Sequence, residues 1–237
     1  MRREGLIRVQ PYSILDPSLS EVWEVHLTDA PLIEAGTSTA VYEPTDPAPE
    51  PGVLYTQSFD MADGTTLPTG WTYRTGAPVT NSFVIASNQL GLNTSSVALH
   101  LVQPPTQPAW ADHYAEMDVT AIGAAGTYHP VVVVRYNGEL SGYLGRYNPT
   151  TGAWEIFDLA GGAVLASFVE TAPALPYTLR MEADGGTVRL LVNGTEKVSH
   201  APAAPLTATG VALGMRRNNS QAGDNAQRVD NWEHGIV

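Results

Sequence analysis

The sequence predicts an all-β fold, a sandwich of two curved antiparallel sheets packed face to face. Three observations carry this prediction. Short runs rich in β-branched and aromatic residues alternate apolar and polar side chains with period two. Turn formers separate the runs, with 22 glycines and 18 prolines in 237 residues. No segment carries an apolar stripe at helical spacing over a useful length. A hydrophobic share of 43% is ample for a core and excludes disorder of the whole chain. No apolar run approaches the roughly 18 residues that read as a membrane-spanning helix, and a chain with no cysteine has neither disulfides nor thiolate metal sites.

Residues 1–42 form an N-terminal arm with two short expected strands, Leu6–Val9 and Val22–Leu27. Residues 43–52 read EPTDPAPEPG, whose four prolines and three acids describe a stiff, extended, solvated linker. Arm and linker hold three arginines and nine carboxylates, a net −6, which is half of the chain's −12. So few large apolar groups in about fifty residues do not bury a core, so the arm is expected to become ordered against a partner. The start, MRREGLIRVQPYS, has no apolar stretch of the kind a secretory signal needs. The acidic balance argues against a nucleic-acid surface.

The sandwich is expected over residues 53–237. Its predicted strands are, in order, Val53–Phe59, Thr72–Arg74, Phe83–Ala86, Gln89–Leu92, Val97–Val102, His113–Ile122, Val131–Tyr136, Tyr143–Tyr147, Trp154–Asp158, Val164–Val169, Tyr177–Ala183, Val188–Val192, Glu196–His200, Gly210–Met215 and Val229–Val237. Tyr136–Asn137–Gly138, Asp184–Gly185–Gly186 and Asn193–Gly194 supply the positive-φ positions of tight hairpin turns. In His113–Ile122, alternation sends Tyr114, Glu116, Asp118 and Thr120 outward and Ala115, Met117, Val119 and Ala121 inward. The uninterrupted Val131–Val134 is expected at the centre of a sheet, covered on both faces. Trp71, Trp110 and Trp232 are expected in the core or sealing its edges.

Tyr136, Asn137, Tyr143, Arg146, Tyr147 and Trp154 crowd into one stretch of strand and loop. Aromatic faces stack on sugar C–H surfaces, and Asn and Arg present hydrogen-bond forks to hydroxyls, so these six are the candidate ligand-binding residues. The alternative for such aromatics is cross-strand packing. The six histidines, at positions 26, 100, 113, 129, 200 and 234, fall in no metal-binding or metalloprotease spacing. No serine sits in a nucleophile-elbow motif, and no glycine-rich loop has the form of a phosphate cradle.

Several segments, in order, resemble the concanavalin A-like jelly roll in its laminin-G-like and carbohydrate-binding forms. QSFDMADGTTLPTGW (57–71) is similar to the first strand and loop of such modules; YTLRMEADGGTVRLLVNGTEKVS (177–199) is similar to a characteristic hairpin; GVALGMR and the closing VDNWEHGIV follow as the family pattern implies. The resemblance implies a β-sandwich over about residues 53–237. Related modules often hold calcium through carboxylates near their first and last strands, and Asp60, Asp63 and Asp230 are the candidates here; no other cofactor is implied. Glycosidases of this scaffold carry E-x-D-x-x-E on one strand. Glu116–Met117–Asp118 matches its first half, but residues 121 and 122 are Ala and Ile, so no enzyme is expected.

A second resemblance is to minor tail and other virion proteins of phages that infect actinobacteria, which join a short attachment segment to such a sandwich. It implies a virion component made in the host cytoplasm, docked to other virion proteins by the arm and contacting host-surface glycan through the sandwich. The alternatives are a capsid decoration protein of the same construction, a cellular carbohydrate-binding module without its partner domain, and a glycan-cleaving enzyme using Glu116 and Asp118. A homo-oligomer is the expectation for a virion component.

Overall fold

A computed structural model describes residues 7–9, 23–25, 51–73, 82–93, 98–123, 129–216 and 226–237. The chain divides into two compact units, Met1–Pro47 and Ala48–Val237. In the first, β1 (Ile7–Val9) pairs antiparallel with β2 (Trp23–Val25), Ile7 lying opposite Val25. Leu6, Val22, His26 and Leu27 of the expected strands lie outside the described residues, as do the rest of the arm and most of the linker.

The second unit is the sandwich. Its strands are β3 (Gly52–Gln57), β4 (Thr72–Tyr73), β5 (Phe83–Ala86), β6 (Gln89–Leu92), β7 (Leu99–Gln103), β8 (His113–Ala121), β9 (Val131–Tyr136) and β10 (Tyr143–Asn148). There follow β11 (Ala153–Asp158), β12 (Ala163–Val169), β13 (Tyr177–Asp184), β14 (Thr187–Val192), β15 (Thr195–His200), β16 (Gly210–Arg216) and β17 (Arg228–Ile236). One sheet runs β12-β11-β10-β9-β16-β7-β4 and the other β15-β14-β13-β8-β17-β6-β5. β17 pairs with β8 along one edge; on the other, Arg228–Val229 meets β6 and Trp232–Ile236 meets β3. The last strand therefore closes beside the first strand of the sandwich.

The expected strands lie within a residue or two of these, apart from Arg74 and Val97, which fall outside the described residues. Val53–Phe59 ends early, because Phe59 takes a φ of 58° and turns its buried ring into the core. The Asn193–Gly194 hairpin has φ of 50° and 72°, as a primed turn requires. The Tyr136–Asn137–Gly138 turn is corrected: β9 and β10 are joined by residues 137–142. The Asn137 side chain holds that wider loop, its Oδ1 accepting from the Glu139 and Ser141 amides at 3.0 and 3.3 Å.

Alternation sets the layers. Val132 and Val134 join the main core between the sheets, while Val131 and Val133 join a second cluster with Leu101, Tyr136, Leu144 and Ala212 on the far face of the same sheet. Both faces of β9 are thus covered, as its unbroken apolar run requires. On β8, Ala115, Met117 and Val119 are buried inward and Glu116, Asp118 and Thr120 point out. Two aromatic groups anchor the core. His129, Tyr147, Trp154 and Tyr177 pack at one place, and Tyr55, Phe59, Trp71, Trp232 and His234 at another. Trp71 and Trp232 are core residues, but Trp110 is corrected to an exposed position, 42% accessible.

Three core histidines are held neutral. His113 Nδ1 lies 2.9 Å from the Trp110 carbonyl and its Nε2 accepts from the Arg135 amide at 3.0 Å, which assigns the proton to Nδ1. Burial lowers its pKa to about 4 against the pull of its backbone carbonyl partner. Burial does the same to His129 and His234, each to about 4. The unfolded chain binds protons at these positions from about pH 6.5 downward, so stability held above that pH is lost as it falls toward 4. The raised carboxyls of Glu116 and Asp230 act in the opposite sense. Urea denaturation across this range is expected to show falling stability. In His113→Gln the slope should be shallower by up to about 1.4 kcal/mol per pH unit.

Candidate functional site

The meander β9–β10–β11 carries all six candidate ligand-binding residues, but strand alternation divides them between two faces. Tyr143, Tyr147 and Trp154 point into the main core. Trp154 is fully buried, 4.9 Å from the Tyr147 ring and edge-on to Tyr177 at 5.7 Å. Its Nε1 donates to Glu170 at 3.1 Å. The Tyr143 hydroxyl accepts from the Leu206 amide at 3.2 Å. These rings join the sheets and offer no face to a sugar, which corrects the expectation that they stack on a ligand.

Arg146 belongs to the opposite face and lies directly across from Glu155. Its Nε and Nη2 both approach Glu155 Oε2 at 2.8 Å, while Asn148 donates to Oε1 at 2.9 Å. The guanidinium also sits over the Phe157 ring, 4.4 Å from its centroid. Arginine and glutamate are both buried, so the pair is internal and Arg146 is not a ligand-binding group. A buried pair of this kind is satisfied only by close geometry and extra hydrogen bonds, which the asparagine and arene provide.

Asn137 remains at a surface, and Tyr136 is buried beneath it. They line an open cleft of about 530 Å³ with Gln103, Gln107, Thr209 and Gly210. Gln107 fixes its wall, accepting from the Val211 amide at 2.7 Å and donating to the Pro104 carbonyl at 2.9 Å. Gly210 is required here because any Cβ would fall on the Tyr136 carbonyl. The Tyr136 hydroxyl donates to the Glu139 carbonyl. The Asn137 oxygen is taken by its own loop, which leaves the amide nitrogen to the cleft it lines. Apart from the tyrosine phenol, the lining has no titratable side chain. It offers amides, a hydroxyl and backbone.

The carboxylates gather elsewhere, on the outer face of β8, β13 and β17. A bulge in β17, with Asn231 at a φ of 46°, brings Glu233 opposite Glu116 and Asp230 opposite Asp118. Asp118 has both oxygens engaged, by the Thr178 hydroxyl at 2.8 Å and the Asn231 amide at 2.9 Å. Glu233 accepts from the Tyr114 hydroxyl at 2.6 Å. Arg180 stacks on the Tyr114 ring at 3.6 Å and lies 3.8 Å from Glu116. Burial raises the Glu116 carboxyl; Arg180 partly offsets this, and Glu233 and Asp118 add to it. The E-x-D motif is thus embedded in a hydrogen-bonded surface network.

Asp63 and Asp230, two of the calcium candidates, are each held by a backbone amide. Asp63 Oδ1 accepts from the Ser87 amide at 2.8 Å, holding the β5–β6 turn. Asp230 accepts from the Asn231 amide at 2.8 Å; burial raises its carboxyl, as do the charges of Asp60 and Asp118. Among the described residues no three His, Asp or Glu side chains are grouped to hold a metal ion.

No protein-family model and no curated protein matches the chain. Solved structures do. A carbohydrate-binding module, CBM66 from Bacillus subtilis, superposes with a TM-score of 0.52 at 15% identity, covering 69% of this chain and 92% of the module. A B. subtilis protein of unknown function with a galectin-like fold gives 0.54 at 12% identity over 78% of this chain and 96% of that one. The sandwich is a galectin-like jelly roll. A β-1,3-glucanase from Mycobacterium marinum shares it too, with a TM-score of 0.51 at 12% identity over 78% of this chain and 99% of the enzyme. Identities this low carry the fold alone, and this jelly roll hosts binding modules and enzymes alike.

Sequence reasoning missed Gln103, Gln107, Thr209 and Gly210, which reach the cleft from two separate segments of the jelly roll. The only local signal is the polar Gln–Pro run around residues 103–108. The buried role of Arg146 has its own test. Arg146→Ala strands Glu155 and is expected to cost about 3–5 kcal/mol in urea denaturation, far beyond the effect of removing a surface arginine.

Proposed function

We propose that the jelly roll binds a neutral, hydroxyl-rich glycan in the cleft at the end of β9 and does not cleave it. The chemistry of the lining carries this reading. Asn137, Thr209 and main-chain groups offer donors and acceptors without formal charge, in a chain whose net charge is −12. Hydroxyls match such a surface, since each can both donate and accept. Anionic ligands find no cation in the lining, and the carboxylate network of β8 and β17 is separate from it. The likeness to a carbohydrate-binding module supports the same reading.

Placement on a phage particle is part of the proposal and rests on the sequence, with the acidic first 52 residues as the attachment segment and a basic virion surface as its partner. Tail and capsid positions are alternatives within it. Removing residues 1–47 is expected to leave a folded sandwich, by circular dichroism, that no longer incorporates into particles. Incorporation of the shortened chain would overturn the arm as the attachment segment, and particles that lack the full chain would overturn the placement.

The binding reading is tested on a broad glycan array, with affinities of the best ligand then measured by calorimetry. Asn137→Asp keeps the acceptor that shapes the loop and removes the amide donor. It is expected to weaken binding by about 2- to 10-fold, the worth of one hydrogen bond. An array without a signal, or undiminished binding in both Asn137→Asp and Thr209→Val, would overturn the assignment of the cleft.

A further inference from the structure

The chain contains two Asn–Gly pairs, Asn137–Gly138 and Asn193–Gly194, and both asparagines are exposed. A glycine after asparagine leaves the backbone nitrogen unhindered, so that it can close on the side-chain amide. The two pairs sit in different frames. Asn193–Gly194 is the whole connection between β14 and β15, with left-handed φ of 50° and 72° and Val192 paired to Thr195. Asn193 is also clamped to Thr178, its amide donating to the Thr178 carbonyl and its Oδ1 accepting from the Thr178 amide, each at 2.9 Å. Asn137–Gly138 instead opens the wider loop of residues 137–142. There the Gly138 amide donates to no acceptor among the described residues, and a Cβ on Gly138 would meet nothing within 4 Å.

We propose that Asn137 is a self-modifying site, which in the folded chain converts to aspartate and isoaspartate through closure on the Gly138 nitrogen. Its Oδ1 accepts from the Glu139 and Ser141 amides at 3.0 and 3.3 Å. The first of these bonds folds the side chain forward over the next peptide, which sets Cγ beside the Gly138 nitrogen. Both donors lie where negative charge develops as that nitrogen attacks, in the manner of an oxyanion hole. Gly138 gives its amide proton to a solvent base and its nitrogen bonds to Cγ. The Cγ–Nδ2 bond then breaks, and Nδ2 takes up a proton and leaves as ammonia. Nδ2 belongs to the cleft rather than to the loop, so the leaving group is open to water. Water opens the succinimide at either carbonyl, so one amide and one water give one carboxylate and one ammonia. At Asn193 the same closure must first leave the left-handed backbone and break the clamp on Thr178. The product at Asn137 places a carboxylate, ionised at neutral pH, in a lining without formal charge. The effect on a bound glycan rests on the reading of the cleft given above; the reaction itself does not.

Trypsin gives each pair its own peptide, Tyr136–Arg146 and Leu190–Lys197, in which the asparagine is the only side-chain amide. The full chain is incubated in mildly alkaline buffer, its fold followed by circular dichroism, and then digested. Mass spectrometry reads the conversion of each peptide, and chromatography separates aspartate from isoaspartate. Asn137 is expected to convert at least about threefold faster than Asn193, the rate effect of one net hydrogen bond. Both products should form, because the succinimide opens at either carbonyl. Peptides digested first and incubated afterwards should convert at closely similar rates, since the pair itself is the same in both. Three results would each overturn the proposal: an intact Asn137 when its free peptide has converted, a lead over Asn193 that is absent or as large in the free peptides, or aspartate alone as product. None of these readouts depends on what the cleft binds.

Discussion

The contact of Trp154 with Tyr177 ties β11 of one sheet to β13 of the other, the rings meeting edge-on at 5.7 Å. Two sheets face to face need an inner layer that is continuous, apolar and interlocked. With Trp154 inward, alternation assigns every neighbour in the meander. Tyr143, Tyr147 and Ile156 must also face in, and Arg146, Glu155 and Phe157 must face out. Gly145 fits between them because a Cβ there would fall on Met181 and Leu190. The surface chemistry of this sheet is what remains after the core has taken its share.

Two polar arrangements follow from that constraint and solve different problems. On the first sheet Arg146 and Glu155 are shut away from water, so they need each other, Asn148 and the Phe157 ring. On the second sheet the bulge in β17 sets acid opposite acid, an unfavourable pairing on a sheet surface. Solvent exposure, Arg180, Tyr114 and Asn231 make it tolerable; burial raises the Glu116 carboxyl, and the neighbouring acids add to that. Catalysis by a carboxylate pair asks for an acid and a nucleophile held free toward substrate. Asp118, with both oxygens engaged, is not held in that way.

The fold was largely legible in the sequence, because each strand announces itself locally. Val131–Val134 is four consecutive apolar residues, which only a doubly covered strand needs, and it lies at the sheet centre between β10 and β16. Asn193–Gly194 demands left-handed backbone whatever surrounds it. Burial was less legible. Trp110 and Trp154 look alike as residues, yet one is exposed and the other enclosed, since the loop holding Trp110 has no alternation to orient it. Asn137–Gly138 reads as a two-residue turn, and only the amides that Asn137 captures show why the loop is wider.

The sequence by itself determined the all-β class, the positions of nearly all the described strands of the sandwich and the outward face of Glu116 and Asp118. Periodicity and turn chemistry act over a few residues and need no tertiary partner to be read. The tertiary structure decided which aromatics are core and which side chains share a cleft. It also decided which acids meet across strands. Those depend on register between strands far apart in the chain, as when Gln103, Asn137 and Thr209 come together at one wall. A shift of one residue in a single strand would reverse its faces without altering one local signal.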